Sequence, residues 1–168
     1  MRRLLLFPAL VVLTSVSSPP APYLTGYVPI MMSRDELNKS ITLLPAQPFR
    51  TTGKIYKFNN TLFAIEPYKG VHVFDNTDPA APVNSGFIRI PGCVDVAVKD
   101  GKLYADNAVD LVTIDISQAN QPRLVNRQMN VFPEMLPPDR LDMPGAYAKD
   151  KRPADLVIVG WKSKTIGE

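Results

Sequence analysis

The residues best suited to chemistry in this 168-residue chain are acidic. Glu66, Asp106 and Asp110 each fall near the end of a short apolar segment. If those ends share one rim, paired carboxylates could serve as the general acid and its partner, as in a glycoside hydrolase. Acidic side chains at strand ends also occur simply as solvated loop residues. In "EPYKG", Tyr68 and Lys69 place an aromatic ring beside a cation in a short loop, a combination suited to binding. Tyr68, Lys69, Glu66, Asp106 and Asp110 are therefore the candidate binding positions, and none is assigned a catalytic role.

Other chemistries find little material. His72 is the only histidine and Cys93 the only cysteine. A metal centre needs several converging ligands, so none is assigned. His72 alternates with Val71 and Val73, and Thr113 is taken as its counterpart further along. Asp75, Asn76 and Asp78 offer oxygen atoms for calcium, with Asp115, Ser117 and Asn120 a weaker second set. A turn-capping role accounts for Asp75 and Asp115 without an ion. No intrachain disulfide is possible, and Cys93 reads as a small buried residue at a strand start. No glycine-rich phosphate loop, serine nucleophile motif or HExxH appears, and no cofactor is expected.

Charge excludes one class of partner. The chain has 19 basic and 16 acidic residues, and two of the basic ones, Arg2 and Arg3, open the chain. The densest basic group, Lys149, Lys151 and Arg152, encloses Asp150. A nucleic-acid binder needs a concentrated basic face, so none is expected. "MRRLLLFPALVVLTSVSS" has a basic start, an apolar run from Leu4 to Leu13, and small residues after it. That is the layout of a secretory signal peptide over 1–18, and the run is too short to span a bilayer. The mature chain is expected in the periplasm, on the outer-membrane surface or outside the cell.

The elements that must position the candidate residues are short strands. The 17 prolines oppose long helices. The lead-in, 19–52, contains one helix signal, Ser33 and Glu36 at capping-box spacing, which predicts a helix over 34–40. From Gly53 the pattern is that of strands and turns. "KIYKF", "TLFAIE", "GVHVFD" and "VNSGFIRI" form a first set, 53–92. "VDVAVK", "KLYAD", "DLVTIDI" and "RLVNRQMNV" repeat it over 93–133. The offset is 41 at Leu62/Leu103 and 40 at Asp75/Asp115 and Pro82/Pro122, so one residue is lost between. Asp75 and Asp115 end the third strand of each copy, and Pro82 and Pro122 lead into the fourth. Four strands per copy is the period of a propeller blade. A Pro-rich loop and the start of a third repeat, "DLVIVGWK", occupy 134–168.

"GVHVFDNTDPAAPVNSGFIRIPG", "LVTIDISQANQP" and "DLVIVGW" together resemble the LVIVD-repeat family of bacterial and archaeal envelope proteins. The resemblance covers about Lys54 to Pro133, and weakly Asp155 to Trp161. "YVPIMMSRDEL" and "LLPAQPFRTTGKIY" resemble the lead-in of larger exported members. The resemblance implies a β-propeller-like fold at the cell surface and carries over no catalytic residue. The chain departs from it in lacking a lipid-acceptor cysteine, in having few repeats, and in placing Gly160 where the repeat has Asp.

The expectation is an all-β fold of about two four-stranded antiparallel blades, incomplete as a propeller, with one short N-terminal helix. The open edges imply a truncated member of a longer family, or an oligomer. The expected role is an envelope binding or scaffolding module with a protein or glycan partner and no catalytic activity. The alternatives are an envelope hydrolase or lyase using rim carboxylates, and a non-functional fragment.

Overall fold

The computed structural model describes residues 24–118 and 121–164. The signal peptide and the linker at 19–23 lie outside the described residues. Two strands and a helix come from the lead-in: β1 (Tyr27–Ser33), α1 (Arg34–Asn38) and β2 (Thr42–Leu44). The first copy of the repeat is β3 (Ile55–Phe58), β4 (Thr61–Glu66), β5 (Gly70–Asp75) and β6 (Val83–Arg89). The second is β7 (Val96–Lys99), β8 (Lys102–Asn107), β9 (Asp110–Asp115) and β10 (Arg123–Gln128). A 3-10 turn at Gly145–Tyr147 precedes β11 (Leu156–Ser163).

The fold is mostly β, with antiparallel sheets of five and four strands, a two-stranded ribbon and one short α-helix. The expectation of four strands in each sheet needs correction for the first. β2 adds to the outer edge of β6, pairing Thr42 with Arg89 and Leu44 with Phe87. No closed ring of sheets is present among the described residues.

Local chemistry sets the hairpins. Asn59 (φ 51°) and the pair Asp100 (φ 50°) and Gly101 (φ 68°) turn β3 into β4 and β7 into β8 in the left-handed region, which Asn, Asp and Gly tolerate best. The β4–β5 loop has three residues, 67–69, and the β8–β9 loop two, 108–109. That difference is the residue lost between the copies. Both copies carry the same bulge: β6 shifts register at Val73/Phe74, and β10 does so between Leu124 and Asn126.

The two sheets share one apolar layer. Phe63, Ile65, Val71 and Val73 of the first copy pack with Leu103, Ala105, Val112 and Ile114 of the second. Fully burying a Val, Leu, Ile or Phe side chain is worth about 2 kcal/mol. Leu103 corresponds to Leu62, not to Phe63, so unlike faces of the two copies meet. The opposite face of the first sheet holds Ala64, His72 and Phe87, all buried. Phe49, from the segment after β2, lies edge-on to the His72 ring at 4.8 Å.

β1 and β11 form an antiparallel ribbon with a bulge between Ile30 and Met31. Pro29 is accommodated because each strand of a ribbon has a free edge. The helix has the Ser33–Glu36 capping box, and its five residues stop short of Ser40, whose hydroxyl donates to the Leu37 carbonyl at 2.8 Å. Leu37 packs with Ala108, Val109, Val157 and Val159, which seats ribbon and helix on the β8–β9 loop. On the neighbouring loop, a Cβ at Gly160 would lie 3.0 Å from Cβ and Cγ of Tyr68. The Tyr68 side chain thus crowds the space that a side chain at position 160 would need.

Candidate functional site

The three carboxylates have three separate sets of partners. Glu66 ends β4 and is buried. His72 lies diagonally across the hairpin, since Ala64 pairs with His72 and Glu66 with Gly70. Glu66 Oε2 is 2.9 Å from His72 Nε2, and Lys69 Nζ donates to Oε1 at 2.6 Å. Burial pushes the Glu66 carboxyl up, but the hydrogen bonds and charges of Lys69 and His72 outweigh it and hold it below the usual range. The His72 ring is wholly buried, 4.6 Å from Phe87 and 4.8 Å from Phe49, and its Nδ1 has no hydrogen-bond partner.

Asp106 accepts from the backbone N–H groups of Val94, at 3.0 and 3.1 Å, and Asp95, at 2.9 Å. It fixes the chain entering β7. Burial dominates and raises its carboxyl. The Cys93 thiol beside it is buried, and burial together with the Asp106 charge pushes it well above the usual range.

Asp110 opens β9 with a side chain sealed from solvent. Both of its oxygens accept from Arg34 Nη1 at 2.8 Å. Arg127 Nη1 donates at 2.7 Å and the Asn130 N–H at 3.0 Å. Arg127 also reaches the Leu37 carbonyl at 3.1 Å. Burial pushes the Asp110 carboxyl up, and these donors more than reverse it, leaving it below the usual range. Asp110 therefore ties α1 to the second sheet.

Tyr68 is half-buried at φ 67°. Its N–H donates to the Cys93 carbonyl at 2.7 Å, and its carbonyl accepts from Gly92 at 2.9 Å. Burial raises its hydroxyl. Lys69 is exposed apart from its bond to Glu66. The structural contacts of these residues are distinct: Tyr68 joins loop to ribbon, Glu66 holds His72, Asp106 fixes a loop, and Asp110 clamps the helix. Among the described residues no three His, Cys, Asp or Glu side chains converge.

The repeated turns are alike. Asp75 Oδ1 accepts from the Thr77 N–H at 2.9 Å and hydroxyl at 2.6 Å. Asp115 Oδ1 accepts the same pair from Ser117 at 2.9 and 2.7 Å. These bonds lower both carboxyls. Pro82 and Pro122 stand one residue before β6 and β10. Asp78 caps the Ala80 N–H at 3.0 Å; Asn120 lies outside the described residues. A cleft of about 620 Å³ opens beside Asp75 and a smaller one of about 320 Å³ beside Asp115. Leu43, Leu44 and Pro45 of the lead-in form one wall of the larger cleft.

Sequence reasoning missed the Glu66–His72 pair, although hairpin register exposes it: residues two apart on paired strands share a face. The ladders also correct the counterpart of His72. Ala105 pairs with Val112, as Ala64 does with His72, so the counterpart is Val112 and not Thr113. Arg34 and Arg127 carry no local signal, because their partner is remote in sequence. Compared with protein-family models, curated proteins and solved structures, the chain matches none of them.

Proposed function

We propose that the chain is a β-propeller-type repeat protein of the cell envelope that acts as a binding or scaffolding module. The observation carrying this reading is the packing of two in-phase antiparallel meanders through unlike faces. Blades of a propeller stack in that head-to-tail manner around their axis. The signal-peptide pattern at the N-terminus and the resemblance to LVIVD repeats support export. The bonds that engage Asp106 and Asp110 support a structural role for the acidic residues.

An envelope hydrolase or lyase is the second reading, and one contact favours it: Glu66 orients a buried imidazole, as a carboxylate does in many general-base pairs. Co-sedimentation of the full chain with envelope fragments of its own host separates the two. Retention on the fragments with no release of soluble product supports the module. Release of product that is lost in Glu66→Gln overturns it in favour of the enzyme.

A further inference from the structure

We propose that the cleft beside Asp75 binds a neutral saccharide, about a disaccharide in size. The inference rests on the module reading and names its ligand class. The volume of about 620 Å³ lies within the range of small-molecule sites.

Three features define the occupant. Leu43, Pro45 and Phe74 give the lining apolar surface. Asp75 adds a carboxylate, and Asn60 and Thr61 an amide and a hydroxyl. Thr77 spends both of its bonds on Asp75 Oδ1, which leaves Oδ2 without a donor among the described residues. A lowered carboxyl is an acceptor only, so the ligand must bring donors. A pyranose ring has C–H groups on one face and O–H groups along its edge, and meets both demands.

Gly86 bears on the space within the cleft. It lies inside β6 and lines the cleft, where glycine weakens a strand. Its backbone has no need of glycine, and a Cβ there would meet the Leu44 carbonyl at 3.5 Å and Leu43 Cδ1 at 3.7 Å, which is ordinary contact. A side chain would fit the fold and would occupy the cleft. Glycine in a strand marks a bulge or a close approach by another group; Gly86 adjoins the β6 bulge and the β2 backbone, and it leaves the cleft open. The second copy pairs Asn126 with Thr113 where the first pairs Gly86 with Val73. Its cleft is smaller, lined by Gln118, Gln121 and Arg123. The proposal therefore concerns the first copy alone.

The test is isothermal titration of the full chain with maltose, cellobiose and chitobiose, and with butylammonium as a cationic probe of the same carboxylate. Saccharide binding is expected in the wild type. Asp75→Asn puts a donor where the acceptor stood and should weaken binding by about tenfold or more, the value of a hydrogen bond to a charged group. Gly86→Phe should abolish binding, with thermal melts confirming that both variants fold. Binding of butylammonium alone, saccharide binding that survives Gly86→Phe, or no saccharide binding at all would each overturn the inference. In the last case persistent co-sedimentation with envelope fragments leaves the module reading standing, whereas its loss removes that reading as well.

Discussion

Asp110→Asn is the most informative single substitution. It keeps the shape of the side chain and removes its charge. Arg127 is 12% exposed at its side chain and Arg34 25%, so one guanidinium is left nearly buried beside an amide. Removing one partner of a buried ion pair costs about 3–5 kcal/mol. The asparagine oxygen still accepts one bond, and Arg34 reaches some water, so the lower end applies: about 3 kcal/mol. That is a large part of the 5–15 kcal/mol or so that holds a typical domain, and corresponds to a fall of about 6–12 °C in melting temperature. Urea unfolding should be followed by far-UV circular dichroism and by fluorescence of Trp161, the only tryptophan, which is buried on β11. Wild type should show coincident transitions. In Asp110→Asn the fluorescence transition should come first, because the ribbon and helix lose their tie to the second sheet. A loss below about 1 kcal/mol with superimposed transitions would refute the clamp. Asp35→Asn, which breaks only the exposed pair with Lys39, should change nothing measurable.

The remaining predictions concern packing, reactivity and pH. Gly160→Ala should destabilise by about 1–3 kcal/mol, as overpacking does. In Tyr68→Gly, which removes both contacting atoms and suits φ 67°, most of that cost should vanish, so additive effects in the double-mutant cycle would contradict the contact. Cys93 should resist thiol reagents at neutral pH and react only as the chain opens, giving a rate that follows denaturant; fast labelling of the native chain would show the thiol accessible. Asp110 and Glu66 sit below their ordinary values of 3.8 and 4.5. Their stabilisation is present above those values and is lost as pH falls through the lower folded ones. Urea midpoints should therefore drop below about pH 4, and the drop should be shallower in Asp110→Asn.

Much of the strand plan was legible because its determinants are local. β4 and β5 begin and end at the predicted residues, since alternation and the turn at Asn59–Asn60 mark them. Turn capping by Asp75 and Asp115 was readable for the same reason, as donor and acceptor lie two residues apart. The lead-in strands were not. "YVPIMMS" contains a proline and no alternation, and it becomes a strand only because β11 supplies partners remote in the chain. "TLL" becomes a fifth strand because β6 has a free edge. The separate partners of the three acids were hidden for a related reason. Each carboxylate meets cations or N–H groups whose identity only the tertiary packing decides. Glu66–His72 is the exception, a pair that the hairpin alone brings together.

The ribbon of β1 and β11 also has a mechanical meaning. Tyr27 pairs with Ser163 at one end and Ser33 with Leu156 at the other. The chain segments preceding β1 and following β11 therefore leave from the same end of an antiparallel pair. Tension between those segments loads the hydrogen bonds one after another, like a zipper, instead of all together in shear. Once Thr25 and Gly26 leave the Asp139 carboxylate and Lys164 leaves the Gly26 carbonyl, the ribbon should peel at low force, starting at Tyr27 and Ser163, until the load reaches α1 and its arginine. There the Arg34–Asp110 contact, with two bonds to one carboxylate, becomes the next element that must break as a unit. An anchored molecule pulled from both sides would thus lengthen in two stages, with the paired meanders still folded after the first.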